Sequence, residues 1–74
     1  MTSSRISVVG AGYVGSVTAA CLAEIGHEVT CADINPARVE AIRQGRAPVR
    51  EPGLSELISA VVSSGRLLAT TDVV

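Results

Sequence analysis

The chain has no lysine, no tryptophan and no phenylalanine, and its single aromatic residue is Tyr13. Without lysine, its basic residues are six arginines scattered from Arg5 to Arg66, and the net charge is −1. No basic stripe exists to gather a nucleic-acid backbone, so nucleic-acid partners are not expected. The hydrophobic content, 47%, is carried by Ala, Val, Ile and Leu, which argues against disorder and suits the strands and helix faces of an α/β sheet. Cysteine is scarce. Cys21 and Cys31 lie in apolar segments and have no metal-ligand neighbour at useful spacing, so both are expected to be buried, reduced thiols of a cytoplasmic protein, with no metal. Charge is absent from Ile6 to Ala23, a length at the lower limit of a membrane span that follows Arg5 in the manner of a signal sequence. Three glycines, with Ser7, Ser16 and Thr18, divide that run into a strand pattern and a helix pattern, so neither a span nor a leader is expected. Seventy-four residues make at most one small domain.

What is present is a glycine turn in a telling place. Gly10-Ala11-Gly12-Tyr13-Val14-Gly15 follows the apolar run Ile6–Val9 and opens a helical pattern, and Asp33 closes the next strand-like run. A lone G-x-G-x-x-G is weak evidence. Between a strand and a helix, with a carboxylate at the end of the second strand, it is the dinucleotide-binding fingerprint. Gly10 allows the tight turn, Gly12 lets a pyrophosphate approach the backbone, and Gly15 lets the helix pack closely. The free N–H groups and dipole at the helix start attract phosphate. Asp33 suits the adenosine ribose hydroxyls and favours NAD over NADP, because a carboxylate repels a 2′-phosphate.

The remaining pattern orders the chain. Strands are expected at Arg5–Val9, which reads as buried, at Glu28–Asp33 and at Leu67–Thr70. A first helix is expected from Tyr13 to Ile25, burying Val14, Val17, Thr18, Cys21, Leu22 and Ile25, with Gly26 as its stop. Asn35-Pro36 starts a second, which buries Val39 and Ile42 and stops at Gly45. Arg46–Pro52 reads as a loop broken by Pro48 and Pro52. Leu54, Leu57, Ile58, Val61 and Val62 mark a third helix ended by Gly65, and Thr71-Asp72 reads as a further helix cap. The order β-α-β-α-α-β implies a Rossmann-like parallel sheet, the N-terminal half of a doubly wound dinucleotide-binding domain. On this reading residues 1–74 form a partial NAD-binding domain, with substrate and catalytic domains outside the chain.

Five stretches resemble one family: Gly10–Gly15, Cys21-Leu-Ala-Glu-Ile-Gly-His-Glu-Val29, Asp33-Ile-Asn-Pro-Ala-Arg38, Gly45-Arg-Ala-Pro-Val-Arg-Glu-Pro-Gly-Leu54 and Gly65-Arg-Leu-Leu-Ala-Thr-Thr-Asp72. Together they look like the N-terminus of the UDP-glucose/GDP-mannose 6-dehydrogenases. The Glu51-Pro-Gly-Leu54 loop and the helix after it are the most diagnostic part. The resemblance implies oxidation of the C6 hydroxyl of a nucleotide sugar to a carboxylate with two NAD+, and a homo-oligomer at full length. It places Tyr13 and Val14 by the pyrophosphate and Arg38 at the ribose or adenine edge, where the family more often has Lys. The family's catalytic Cys, with its Lys, Asn and Asp helpers, lies beyond residue 74, so neither Cys21 nor Cys31 is expected to take that role and no catalytic residue is expected here.

Other residues are read as structural. His27 is taken as a satisfied surface imidazole, and Ser16 and Thr18 have no nearby base. Glu51 is expected to hold loop N–H groups or to pair with Arg46 or Arg50, with a place on the substrate side of the cleft as the alternative. Two other functions compete. An NAD-sensing regulatory module of a potassium-uptake system would share the turn and the acid, but should pass quickly from the second helix to the third strand. A dehydrogenase of the 3-hydroxyacyl or 6-phosphogluconate type should differ after Gly45.

Overall fold

Short apolar and β-branched runs form the strands, and glycines end every helix among the described residues. The computed structural model describes residues 3–73. Its elements are β1 (Arg5–Val9), α1 (Tyr13–Glu24), β2 (Glu28–Ala32), α2 (Pro36–Arg43), α3 (Leu54–Ser63) and β3 (Leu67–Thr70). The three helices stop in the same way. At α1 the His27 N–H reaches back to the Leu22 carbonyl and the left-handed Gly26 to Ala23, and Gly45–Arg46 and Gly65–Arg66 repeat the pattern. Asn35 starts α2 as expected, its side chain accepting the Ala37 N–H at 2.9 Å and that of Arg38 at 3.4 Å ahead of Pro36.

The strands form one parallel sheet in the order β1-β2-β3. Register aligns Ile6 with Val29 and Leu67, and Val8 with Cys31 and Ala69. These two rows face the helices and join Ala19, Ala20, Ala23, Val39, Ile42, Ile58 and Val61 in one core. The intervening rows, Ser7-Thr30-Leu68 and Val9-Ala32-Thr70, point to the other face, where Val9 and Leu68 are exposed. Arg43 ties α2 to β3, its Nε donating to the Ala69 carbonyl at 3.0 Å. α3 behaves as its pattern demands: Leu54, Ile58 and Val61 are buried, while Leu57 and Val62 are half-buried at the margin. No helix among the described residues is long and apolar enough to cross a membrane.

Three expectations fail, each for a physical reason. β1 is not a buried strand: Arg5, Ser7 and Val9 are exposed and Ile6 and Val8 only half-buried. The helices cover one face, and its outer edge has no partner strand among the described residues. α1 ends at Glu24, with Ile25 as its cap, and its buried face differs from the expected one. Val14, Thr18, Cys21 and Ile25 are exposed, and Ser16, Ala19, Ala20 and Ala23 face the sheet instead. α1 is apolar on all sides, so hydrophobicity does not choose its inner face. The small residues do, because they let the helix axis approach the strands. Cys21 is therefore an exposed thiol, contrary to expectation, while Cys31 is buried. At the end of the described residues the Asp72 N–H donates to Thr70 Oγ1 at 3.1 Å, and the helix whose cap was read at Thr71-Asp72 lies outside them.

Candidate dinucleotide site

Leaving β1, the chain must turn sharply to enter α1 above the carboxyl ends of the strands. Gly10 makes that turn with φ +102°, a conformation that a side chain would strain. Its N–H donates to the Ala32 carbonyl at 2.6 Å, which pins the turn to the end of β2. Gly15 has the tightest steric constraint: a Cβ there would sit 1.7 Å from the Gly10 carbonyl oxygen. Gly12 is the opposite case, with nothing within 4 Å of a Cβ position. It is the N-cap of α1, and no side chain caps the helix there and no acidic residue occupies the first turn. The first N–H groups of any helix lack partners along the helix. Here they border open space, beside Tyr13, 54% exposed, and Val14, 73% exposed.

Asp33 follows β2 and continues its ladder, its N–H donating to the Thr70 carbonyl at 3.0 Å. Asp33 is 7% exposed, and its carboxylate is well supplied with donors. The Ala11 N–H reaches Oδ2 at 2.6 Å, the Asn35 N–H reaches Oδ1 at 2.7 Å, and Arg38 Nη1 stands 3.5 Å from Oδ2. The Ala11 and Asn35 amides, more than the Arg38 guanidinium, hold the Asp33 pKa below the usual carboxylate range despite its burial. Two carboxylate oxygens offer about four acceptor positions, so capacity remains for a hydroxyl donor. The structure thus brings Gly10, Gly12, Gly15, Asp33 and Arg38 together at one end of the sheet, with Tyr13 and Val14 on the adjoining helix turn.

Three residues that support this arrangement were read from the sequence in other roles, with no part in the site. The Ser16 hydroxyl, fully buried, donates to the Ala11 carbonyl at 2.8 Å. Cys31 Sγ lies 3.8 Å from the Gly10 carbonyl oxygen. Asn35 caps α2 and also gives its own N–H to Asp33. Thr18 carries a second hydroxyl on the same helix, so no sequence signal separates the buried Ser16 from the exposed Thr18. Burial, and then the charge of Asp33, push the Cys31 thiol pKa up, which disfavours the thiolate and a nucleophilic role. His27 is satisfied as expected, its Nδ1 accepting the Ser4 N–H at 3.0 Å. Glu51 does not follow expectation. Among the described residues it pairs with neither Arg46, whose guanidinium donates to Gln44 Oε1 at 2.8 Å, nor Arg50. It is half-buried and lines a cleft of 290 Å³ shared with Tyr13, Val17, Leu54 and Leu57.

A β-α-β unit with a glycine turn, an uncapped helix start and an acid at the end of the second strand defines a dinucleotide-binding protein of the Rossmann-like class. Residues 4–74 match the UDP-glucose/GDP-mannose dehydrogenase family, NAD binding domain, and the chain belongs to that family. It is 52% identical over 69 residues to GDP-mannose 6-dehydrogenase of Azotobacter vinelandii, covering 93% of this chain and 16% of that protein. A ternary complex of GDP-mannose dehydrogenase from Pseudomonas aeruginosa superposes with a TM-score of 0.90 at 47% identity, covering 92% of this chain and 16% of that one. The UDP-glucose dehydrogenase of Pyrobaculum islandicum gives 0.89 at 44% identity, covering 95% and 16%. The chain therefore spans about a sixth of the length of these relatives. The match runs through the Arg46–Gly53 loop and α3, the segment by which the two competing readings were to be told apart, and it favours neither of them.

Proposed function

We propose that this chain forms the adenosine side of the NAD site of a nucleotide-sugar 6-dehydrogenase, which oxidises UDP-glucose or GDP-mannose to the uronic acid with two NAD+. The observation that carries the reading is the Asp33 carboxylate, held beside a glycine turn that opens onto an uncapped helix. The residues fit the cofactor: the open space at Gly12 suits a pyrophosphate, and Asp33 keeps acceptor capacity for a ribose hydroxyl. The amides of Gly12, Tyr13, Val14 and Gly15 would hold the pyrophosphate, over the turn that Gly10 makes. Asp33 and Arg38 would take the adenosine ribose. Bound NAD+ supplies the hydride acceptor, and the residues of this chain bind and orient it. The groups that bind the sugar and carry out the oxidation belong, on this reading, to segments outside residues 1–74. Two free thiols support a cytoplasmic location.

Calorimetric titration of the purified chain with NAD+ and NADP+ tests the proposal. NAD+ should bind weakly but more tightly than NADP+, with amide shifts at residues 10–15 and 33. Tighter binding of NADP+ would sink the assignment of Asp33. The chain alone should form no NADH from UDP-glucose or GDP-mannose; turnover abolished by Cys21→Ser would overturn the placement of the catalytic groups elsewhere.

A further inference from the structure

The turn between β1 and α1 is clamped at every backbone polar group of its first two residues. The Gly10 N–H is bound by the Ala32 carbonyl and the Gly10 carbonyl lies against Cys31 Sγ. The Ala11 N–H is bound by Asp33 and the Ala11 carbonyl by Ser16. The last of these bonds has a consequence one residue further on. A peptide unit is planar and trans, so its carbonyl and its N–H point in opposite directions. The carbonyl of the Ala11–Gly12 unit is drawn inward to the Ser16 hydroxyl, which is 1% exposed. The N–H of the same unit, belonging to Gly12, is thereby aimed away from the core, at the residue whose side-chain position is empty.

We propose that Ser16 is a positioning residue for the phosphate site: by holding the Ala11 carbonyl, it aims the Gly12 amide at the pyrophosphate of the bound dinucleotide. The inference rests on the proposed NAD-binding role and adds to it a residue that touches no ligand. The effect is directional. Loss of the hydroxyl frees the peptide unit to rotate, which disperses the Gly12 N–H. It leaves in place the ribose acceptor, since Asp33 is held by Ala11 and Asn35 N–H groups that Ser16 does not touch.

The test compares two ligands that share the nucleoside and differ in the pyrophosphate. Adenosine and ADP-ribose are titrated into the wild-type chain and into Ser16→Ala and Ser16→Thr, with amide chemical shifts as the readout and thermal unfolding as the control on the fold. Ser16→Ala should weaken ADP-ribose about fivefold, the scale of one hydrogen bond. It should leave adenosine unchanged and move the Gly12 amide resonance in the free protein. Ser16→Thr, which keeps the hydroxyl, should restore ADP-ribose binding; if its added methyl prevents folding, the Gly12 resonance and the ligand comparison in Ser16→Ala decide alone. Equal weakening of both ligands means a general loosening and overturns the positioning role, as does an unchanged affinity for ADP-ribose. A wild-type chain that binds neither ADP-ribose nor NAD+ removes the proposed function itself, and the inference with it.

Discussion

Two connections, the short turn at residues 10–12 and the longer loop at residues 44–53, behave differently. The glycine turn between β1 and α1 is fixed by partners from far along the chain: Ala32, Cys31 and Asp33 all come from the end of β2, 21 or 22 residues away for the side-chain contacts. The loop between α2 and α3 is held by neighbours, the Ala47 N–H on Ser55 Oγ at 3.1 Å and the Leu54 N–H on the Glu51 carbonyl at 3.1 Å. Its one carboxylate, Glu51, has no arginine partner among the described residues. A segment organised by distant strand ends forms only when the sheet forms, and then it is rigid. A segment organised by its own prolines and one hydroxyl takes its shape locally. Such loops accept change more readily.

The largest effect should come from crowding the turn. Gly15→Ala sets a methyl group on the Gly10 carbonyl, a backbone atom that cannot rotate away. Overpacking of this kind costs about 3 kcal/mol or more. Denaturant unfolding should show it, while Val49→Ala in the loop should cost under about 1.5 kcal/mol because Val49 is only half-buried. Comparable losses at both positions would erase the distinction between the two segments.

Next in size is the loss of the acid. Asp33→Ala should weaken NAD+ binding by about tenfold to a hundredfold, the scale of hydrogen bonds to a charged group. Arg38→Ala should cost less, since its side chain is 44% exposed and stands 3.5 Å from Asp33. Isothermal titration of both variants gives the ranking, and the reverse order would transfer the main contact to Arg38.

The acid also makes a pH signature that the loop lacks. The folded pKa of Asp33 is depressed, so its ionised form stabilises the native state. That contribution is fully present above the unfolded carboxylate range, about pH 4, and is lost as pH falls through the lower folded pKa. The stability gap between the wild type and Asp33→Asn should therefore be flat near neutrality and close on acidification. Unfolding midpoints measured across acidic pH would contradict this if the gap widened.

The smallest effect is expected in the loop. Glu51→Gln should change stability by no more than about 0.5 kcal/mol, as for surface changes that break no buried pair. NAD+ affinity should move less than twofold. A loss as large as that of Asp33→Ala would sharpen the comparison in a different way, by bringing the cleft shared by Glu51 and Tyr13 into the cofactor site.

The sequence by itself determined the elements, the turn, the acid and the family. Gly26, Gly45 and Gly65 stop helices by local chemistry, Asn35-Pro36 starts one, and the polar Ser55, Glu56, Ser59 and Ser63 face away from Leu54, Ile58 and Val61, so the buried side of α3 could be read from its period. α1 offered no such contrast. It is apolar all round, and only its packing against the strands, limited by the contact of Gly15 with the Gly10 carbonyl, chose Ser16, Ala19, Ala20 and Ala23 as the inner face. That choice turned Cys21 and Val14 outward and carried the Ser16 hydroxyl to the Ala11 carbonyl. Tertiary structure also left β1 half-buried and Glu51 without the expected partner. Each of these outcomes depends on which side of an element meets another element, and a one-dimensional pattern records that only where polar and apolar residues alternate with the period of the structure.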